Sequence, residues 1–338
     1  MLFFWKLVCF HILLLDSVVP SIAAKSVEQQ LLLTKTNTLS HQSAHRVKNL
    51  RPLFLKGSLL SAVPAREDDW KPEVMLPRGC HLVLLRELTL DDTNYYVAVD
   101  AQTLISYLIE QNVLDTSFGI AVRESDLPYF QLLVQSKKKP IERINHQGRD
   151  QRMVLSLDFC PSNQETELNF LESLPNSFNE VSWIAFLSGR WMESHLQDLH
   201  RLRLLDLTDQ QKIIFANHSY QHLAFPPFMA DLSVDFESDV LRNEEVFLKF
   251  GLVPSVFYRF PGLQYNQQRL DSLRQLGYIA ISSQAWLAKK QLPVSGSIIL
   301  LHGNGNERQG INSFQKYLLT HHDKPQLIDL RAGLLQSV

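Results

Sequence analysis

From about Gln151 onward, short β-branched or apolar runs alternate with segments of helical period, and that alternation constrains the fold more than any other feature. The runs at 153–157, 183–187, 212–216, 256–258, 278–281, 297–301 and 326–330 read as strands. Between them, helical spacing covers about 165–174, 191–202, 233–250 and 267–276, and Gly251 and Gly277 stand where left-handed caps would end the last two. Strands separated by helices imply a parallel sheet with crossover connections. Seven such strands fit a distorted (β/α) barrel better than a six-stranded open sheet.

The first half is less regular. Residues 1–15 carry one charge, Lys6, in an almost unbroken apolar run, and Ser21-Ile22-Ala23 offers small residues at −3 and −1 of a cleavage site. We read 1–23 as a signal peptide, with an uncleaved membrane anchor as the alternative. No other stretch reaches the roughly 18 apolar residues of a membrane span, so the expectation is an exported chain, periplasmic or secreted, with no stable span after cleavage. Residues 24–69 are polar and mixed and read as a lead-in. Residues 70–150 read as a small α/β unit, with strands at 80–85 and 95–99 around the turn Asp91-Asp92-Thr93-Asn94. A helix is expected over 101–111, a strand over 119–122 and a helix over 127–134, ending at the solvated Lys137-Lys138-Lys139-Pro140.

With a formal net charge of −2, the chain shows no broad basic face for nucleic acid. Of three cysteines, Cys9 leaves with the signal peptide; Cys80 and Cys160 are either a pair or two buried thiols.

Barrels place their chemistry at the C-terminal ends of strands. Asp158 ends the first strand of the second half, His218 and His222 follow the third, Arg259 ends the fourth and His302 ends the sixth. An acid, three imidazoles and a guanidinium are therefore expected on one face.

Five ordered motifs carry a family resemblance. Residues 155–162, Leu-Ser-Leu-Asp-Phe-Cys-Pro-Ser, resemble the T-F-D-D-G-P motif of the polysaccharide deacetylases, the NodB-homology domain. Asn217-His218-Ser219-Tyr220-Gln221-His222 resembles their H-[ST]-x-x-x-H metal motif, and Tyr258-Arg259-Phe260-Pro261-Gly262 their R-x-P motif. The stretch from Gly277 to Trp286 resembles the Trp-bearing fourth motif, and Leu300-Leu301-His302-Gly303 the L-H-D motif. The resemblance covers 151–335 and implies a NodB-like barrel acting on an N-acetylated glycan, such as peptidoglycan or a related polysaccharide. It implies Asp158 as general base, Arg259 as its orienting partner and His302 as general acid. It places Trp286, Tyr258 and Pro261 at the substrate pocket, and gives His218 and His222 to a divalent metal, expected to be zinc.

The chain departs from the family pattern at three points. Phe159-Cys160 replaces the second Asp and the Gly of the first motif, an arrangement similar to that of a subgroup of the family. Two protein ligands are then recognised, with Cys160 a conceivable third. Gly303 replaces the Asp after the last His, and 282–285 lacks the acidic residues common before the motif-four Trp, which leaves His302 without an evident carboxylate partner. The leading expectation is a metal-assisted de-N-acetylase. A catalytically silent glycan-binding barrel and an O-acetyl esterase are the alternatives. Asn217-His218-Ser219 also spells a glycosylation sequon, read here as coincidence.

Overall fold

The computed structural model describes residues 44–53, 59–62, 80–114, 126–146, 151–178, 181–223, 235–320 and 325–338. The expected signal peptide and the strand expected at 119–122 lie outside the described residues.

The first sheet is antiparallel: β1 Val47–Pro52, β2 Leu59–Ala62, β3 Cys80–Leu90, β4 Thr93–Asp100 and β5 Ser106–Glu110. Its order is β1-β3-β4-β5, with β2 on the other half of β3. Asp91 and Asp92 turn the β3–β4 hairpin, both with positive φ (47° and 66°), the geometry of a two-residue type I′ turn. Part of the expected lead-in thus forms an edge strand, β1. The helix expected over 101–111 is β5. Leu108 faces Leu248, while Tyr107 and Ile109 face Leu82 and Ala98, so both faces are buried and the period-two signal disappears. The helix expected over 127–134 is α1, Pro128–Gln135, which begins on its proline.

The second sheet contains β6 Arg152–Phe159, β7 Val181–Leu187, β8 Gln211–Asn217, β9 Phe257–Tyr258, β10 Ile279–Ala280, β11 Ala285–Trp286, β12 Ile298–His302 and β13 Gln326–Leu327. All pairings are parallel, in the order β10-β9-β8-β7-β6-β12-β11, with β13 also on β6. This is the distorted (β/α) barrel expected, with β11 added to the seven strands read from sequence. Its helices are α2 Leu168–Ser173, α3 Gly189–Ser194, α4 Leu196–Asp206, α5 Phe236–Lys249, α6 Gln267–Gln275, α7 Arg308–Thr320 and α8 Leu330–Leu335. The helix expected over 191–202 is two, parted at His195 (φ −127°, ψ 47°). Gly251 and Gly277 take φ of 71° and 81°, the left-handed caps expected after α5 and α6.

Strand periodicity sorts the core into two layers. Met153, Leu155, Leu157 and Phe159 pack outward on α2, α3 and α7. Val154, Ile184, Phe186, Ile214 and Ile298 point inward, and that face is filled by Val83 and Leu85 of β3, by α1 and by α8. Residues 141–144 cross from one flank of the sheet to the other. Ile141 bridges to Ile281 and Arg143 to Ser297, with Ile141 N donating to the Ala280 carbonyl and Ile144 N to that of Gly296. The N-terminal elements therefore complete the barrel's interior rather than standing apart from it. Among the described residues, no helix is long and apolar enough to cross a membrane.

Candidate active site

The strand register brings the expected residues to one end of the sheet. Asp158 lies opposite His302 on one side and Phe186 on the other, and Asn217, just before His218, lies opposite Leu187 and Tyr258. Arg259 Nη1 donates to Asp158 Oδ1 at 2.7 Å and to Ser156 Oγ at 2.8 Å, while Nη2 donates to the Ser282 carbonyl at 2.9 Å. The guanidinium lies 4.0 Å over the Phe186 ring, and both members of the pair are buried. Burial opposes the charged form of Asp158, but the charge of Arg259, then of the nearby histidines, outweighs it and holds the carboxyl below its ordinary range.

His218 Nδ1 lies 2.8 Å from the Arg259 carbonyl, which can only accept, so Nδ1 carries the proton and Nε2 is left as a bare donor atom. That Nε2 sits 3.1 Å from His222 Nε2 and 3.7 Å from Cys160 Sγ, and the three atoms lie within 4.8 Å of one another. Burial lowers the pKa of both imidazoles, that of His222 to about 3, and pushes the Cys160 thiol well above its usual value. Two neutral imidazoles and a sulfur converging at this spacing form a donor set suited to a zinc-like ion. The structure brings Cys160, the conceivable third ligand of the sequence reading, to the two histidines.

The turn holding His222 is strained: Ser219 and His222 have φ of 64° and 57°. Buried polar groups hold it in place. Asp239 accepts from Tyr220 N at 3.1 Å and Gln221 N at 3.0 Å, Ser219 Oγ from His222 N at 2.9 Å, and Asn217 Oδ1 from Ser219 N at 2.9 Å. Asn217 is fully buried with its amide nitrogen on the Val240 carbonyl and Tyr278 Oη, so the sequon is closed to glycosylation in the folded chain. Neither Cys80 nor Cys160 is in a disulfide; both are buried thiols.

Phe159 and Gly303 are two halves of one packing solution. Phe159 follows Asp158 on a strand, so it points to the opposite face, into the outer core, 4.7 Å from the Trp191 ring centroid. A Cβ on Gly303 would lie 2.5 Å from Phe159 Cζ. Restoring the family's carboxylate by Phe159→Asp is therefore expected to leave metal affinity unchanged. It should cost at least about 3–5 kcal/mol, the usual loss for truncating a buried Phe, before the burial of a charge is added. Chemical denaturation and zinc titration of the variant check this.

His302 does not lack a carboxylate, contrary to the expectation from Gly303 and 282–285. Glu307 Oε2 lies 2.8 Å from His302 Nδ1 and accepts from Trp286 Nε1 at 2.7 Å. A missing Asp beside the motif hid this, because the partner comes from the start of α7, five residues on. Trp286 is half-buried with Lys289 3.4 Å over its ring. Tyr258 and Pro261, expected at the substrate pocket, are buried instead. Tyr258 packs against Phe236, Phe260 and Tyr278, and both residues line a separate small cavity with Ser219, Asp239 and Arg269. For Tyr258 the physical reason is again the pleat, since a residue next to inward-pointing Arg259 faces the helices; Pro261 instead opens the 3-10 turn that follows the strand.

Residues 145–281 match the family model of the polysaccharide deacetylases. Over that segment the chain is similar to a polysaccharide deacetylase domain. The chain is also similar to a family 4 carbohydrate esterase from Bacillus anthracis, with 19% identity, a TM-score of 0.47, and coverage of 65% of this chain and 95% of that one. PdaA of Bacillus subtilis, also a family 4 carbohydrate esterase, matches at 15% identity and a TM-score of 0.45, covering 71% and 94%. BA3943, a pseudoenzyme of that family from Bacillus anthracis, matches at 15% and 0.42, covering 74% and 84%.

Proposed function

We propose that this chain is an exported hydrolase that removes N-acetyl groups from a cell-envelope glycan, peptidoglycan or a related polysaccharide. The observation that carries the reading is the convergence of Asp158–Arg259, the His218–His222–Cys160 donor set and His302 at adjacent strand ends.

His218, His222 and Cys160 would hold the divalent ion, which when bound makes water more acidic and polarises the acetyl carbonyl. Asp158 accepts the proton of the attacking water as its oxygen bonds to the acetyl carbon. A carboxylate held as low as Asp158 is a weak base, and it suffices only where the water is acidified. His302 delivers a proton to the amine as the carbon–nitrogen bond breaks, giving acetate and a free amino sugar. Arg259 keeps Asp158 ionised and fixed in direction.

One observation favours the silent glycan-binding barrel: Phe159 turns the second position of the first motif into the core, so no carboxylate joins the ligand set there. Acetate release from N-acetylated peptidoglycan and chito-oligosaccharides separates the two. Release is expected from the mature protein, abolished by chelator, restored by zinc and absent in His218→Ala/His222→Ala. Glycan binding without release, in folded protein loaded with zinc, selects the silent barrel. Cys160 has a distinct readout. Because its thiol is protonated near neutral pH, zinc binding should release about one proton, measured by calorimetry in buffers of different ionisation enthalpy, and Cys160→Ala should release none.

A further inference from the structure

We propose that Glu307 is the positioning residue for His302, an assignment that rests on the reading of His302 as the group that delivers a proton. No motif of the family resemblance contains Glu307; the geometry alone points to it. One carboxylate oxygen, Oε2, meets both His302 Nδ1 at 2.8 Å and Trp286 Nε1 at 2.7 Å, so a single group fixes the imidazole and the indole that flank the site. The two rings stand 5.8 Å apart, and the side chains of His302 and Glu307 are 11% and 26% exposed. With the Glu307 carboxylate 2.8 Å from Nδ1, its charge favours the proton on that atom, and Nε2 is the ring atom left to face a leaving nitrogen.

The loop that carries Glu307 is pinned to the loop that carries Cys160. Buried Asn304 donates from Nδ2 to the Cys160 carbonyl at 2.7 Å, Ser162 Oγ donates to Asn306 Oδ1 at 2.8 Å, and Glu167 N donates to the Gly303 carbonyl at 2.8 Å. Arg308 Nε stands 2.6 Å from Glu167 Oε1. Gly305, with φ of 76°, lies so close to the Glu165 carbonyl that a Cβ there would stand 2.5 Å away. Glu307 is therefore delivered by a braced loop. Burial disfavours its charged form, but the contact with His302, the bond from Trp286 and the charge of Lys289 outweigh this and lower its pKa.

The test uses the zinc-loaded full chain and chito-oligosaccharide. Glu307→Gln is expected to lower kcat about 10–100-fold, the usual effect of losing an outer carboxylate, with KM within about twofold. In a His302→Ala background the same substitution should add nothing. An equal further loss in that background overturns the proposal, as does an unchanged kcat. Nitrogen-15 NMR of the histidine rings reads the assignment without turnover. His302 should be the Nδ1-protonated tautomer, and Glu307→Gln should shift it. A wild-type ring protonated at Nε2 refutes the role of Glu307 even if acetate is released. An Nδ1-protonated ring in a protein that releases no acetate refutes the hydrolase instead.

Discussion

Replacing Asp158 with asparagine is expected to lower kcat for acetate release about 10²–10⁴-fold, the range for loss of a general base. The side chain keeps its shape and can still accept from Arg259 Nη1, so the bound glycan and the donor set should be undisturbed. The substitution also removes a buried anion. Arg259 is fully buried, and leaving a buried charge without its partner costs about 3–5 kcal/mol. Activity must therefore be compared well below the unfolding midpoint of the variant. The pH dependence gives an independent sign. The Asp158 pKa is lowered on folding, so its contribution to stability is complete above the unfolded carboxyl value and is lost as pH falls through the lower folded value. Wild type should lose this increment below about pH 4, where unfolded aspartate protonates, whereas Asp158→Asn has none to lose. Denaturant midpoints from pH 3 to 7 for both proteins measure it. A variant that retains full kcat removes Asp158 from the chemistry.

The second large effect is expected far from the site, at Arg86 and Glu244. Arg86 on β3 meets Glu244 on α5 through two bonds, Nε to Oε2 at 2.8 Å and Nη2 to Oε1 at 2.6 Å, with both side chains 2% exposed. Tyr278 Oη donates to Glu244 Oε1 at 2.6 Å, and Asn217 Nδ2 donates to Tyr278 Oη at 3.1 Å. The chain of bonds runs from the antiparallel sheet to the residue preceding His218. Glu244→Ala leaves Arg86 buried and unpaired, and Arg86→Ala does the same to Glu244, so each should cost about 3–5 kcal/mol. Arg86→Met/Glu244→Leu, which removes both charges and keeps the volume, should recover most of the loss. Urea midpoints with an unchanged slope would establish that the native state lost the energy. If either single variant unfolds at the wild-type midpoint, the antiparallel sheet is not held by this pair.

The candidate site was legible largely because strand-end chemistry repeats. Asp158, His218, His222, Arg259 and His302 each follow an apolar run, and the parallel register carries them to one face. Glu307 was not legible, since its link to His302 depends on how the loop after β12 folds back over Trp286. Cys160 could be named from the motif as a conceivable third donor, but its nearness to both imidazoles depends on the folded loop, since a thiol beside a strand end is more often simple packing. Motif membership put Tyr258 and Pro261 at the substrate pocket, and the structure buries both, Tyr258 through its place on the strand. The pleat sends alternate residues to opposite faces, and a motif written as a string hides that.

In the fold, the alternation of strands and helices from 151 onward, the caps at Gly251 and Gly277 and the β3–β4 turn were all determined locally, by apolar periodicity and by residues that tolerate positive φ. The identity of β5 was not, because a strand buried on both faces has no period to read. Nor could the sequence tell that 141–144 spans the sheet's flanks and that β3, α1 and α8 fill its interior. Local chemistry selects an element and the face it wants to bury. Which distant element covers that face is decided only when the whole chain competes to exclude water, and the same competition turned Phe159 into the outer core against Gly303 and brought Glu307 to His302.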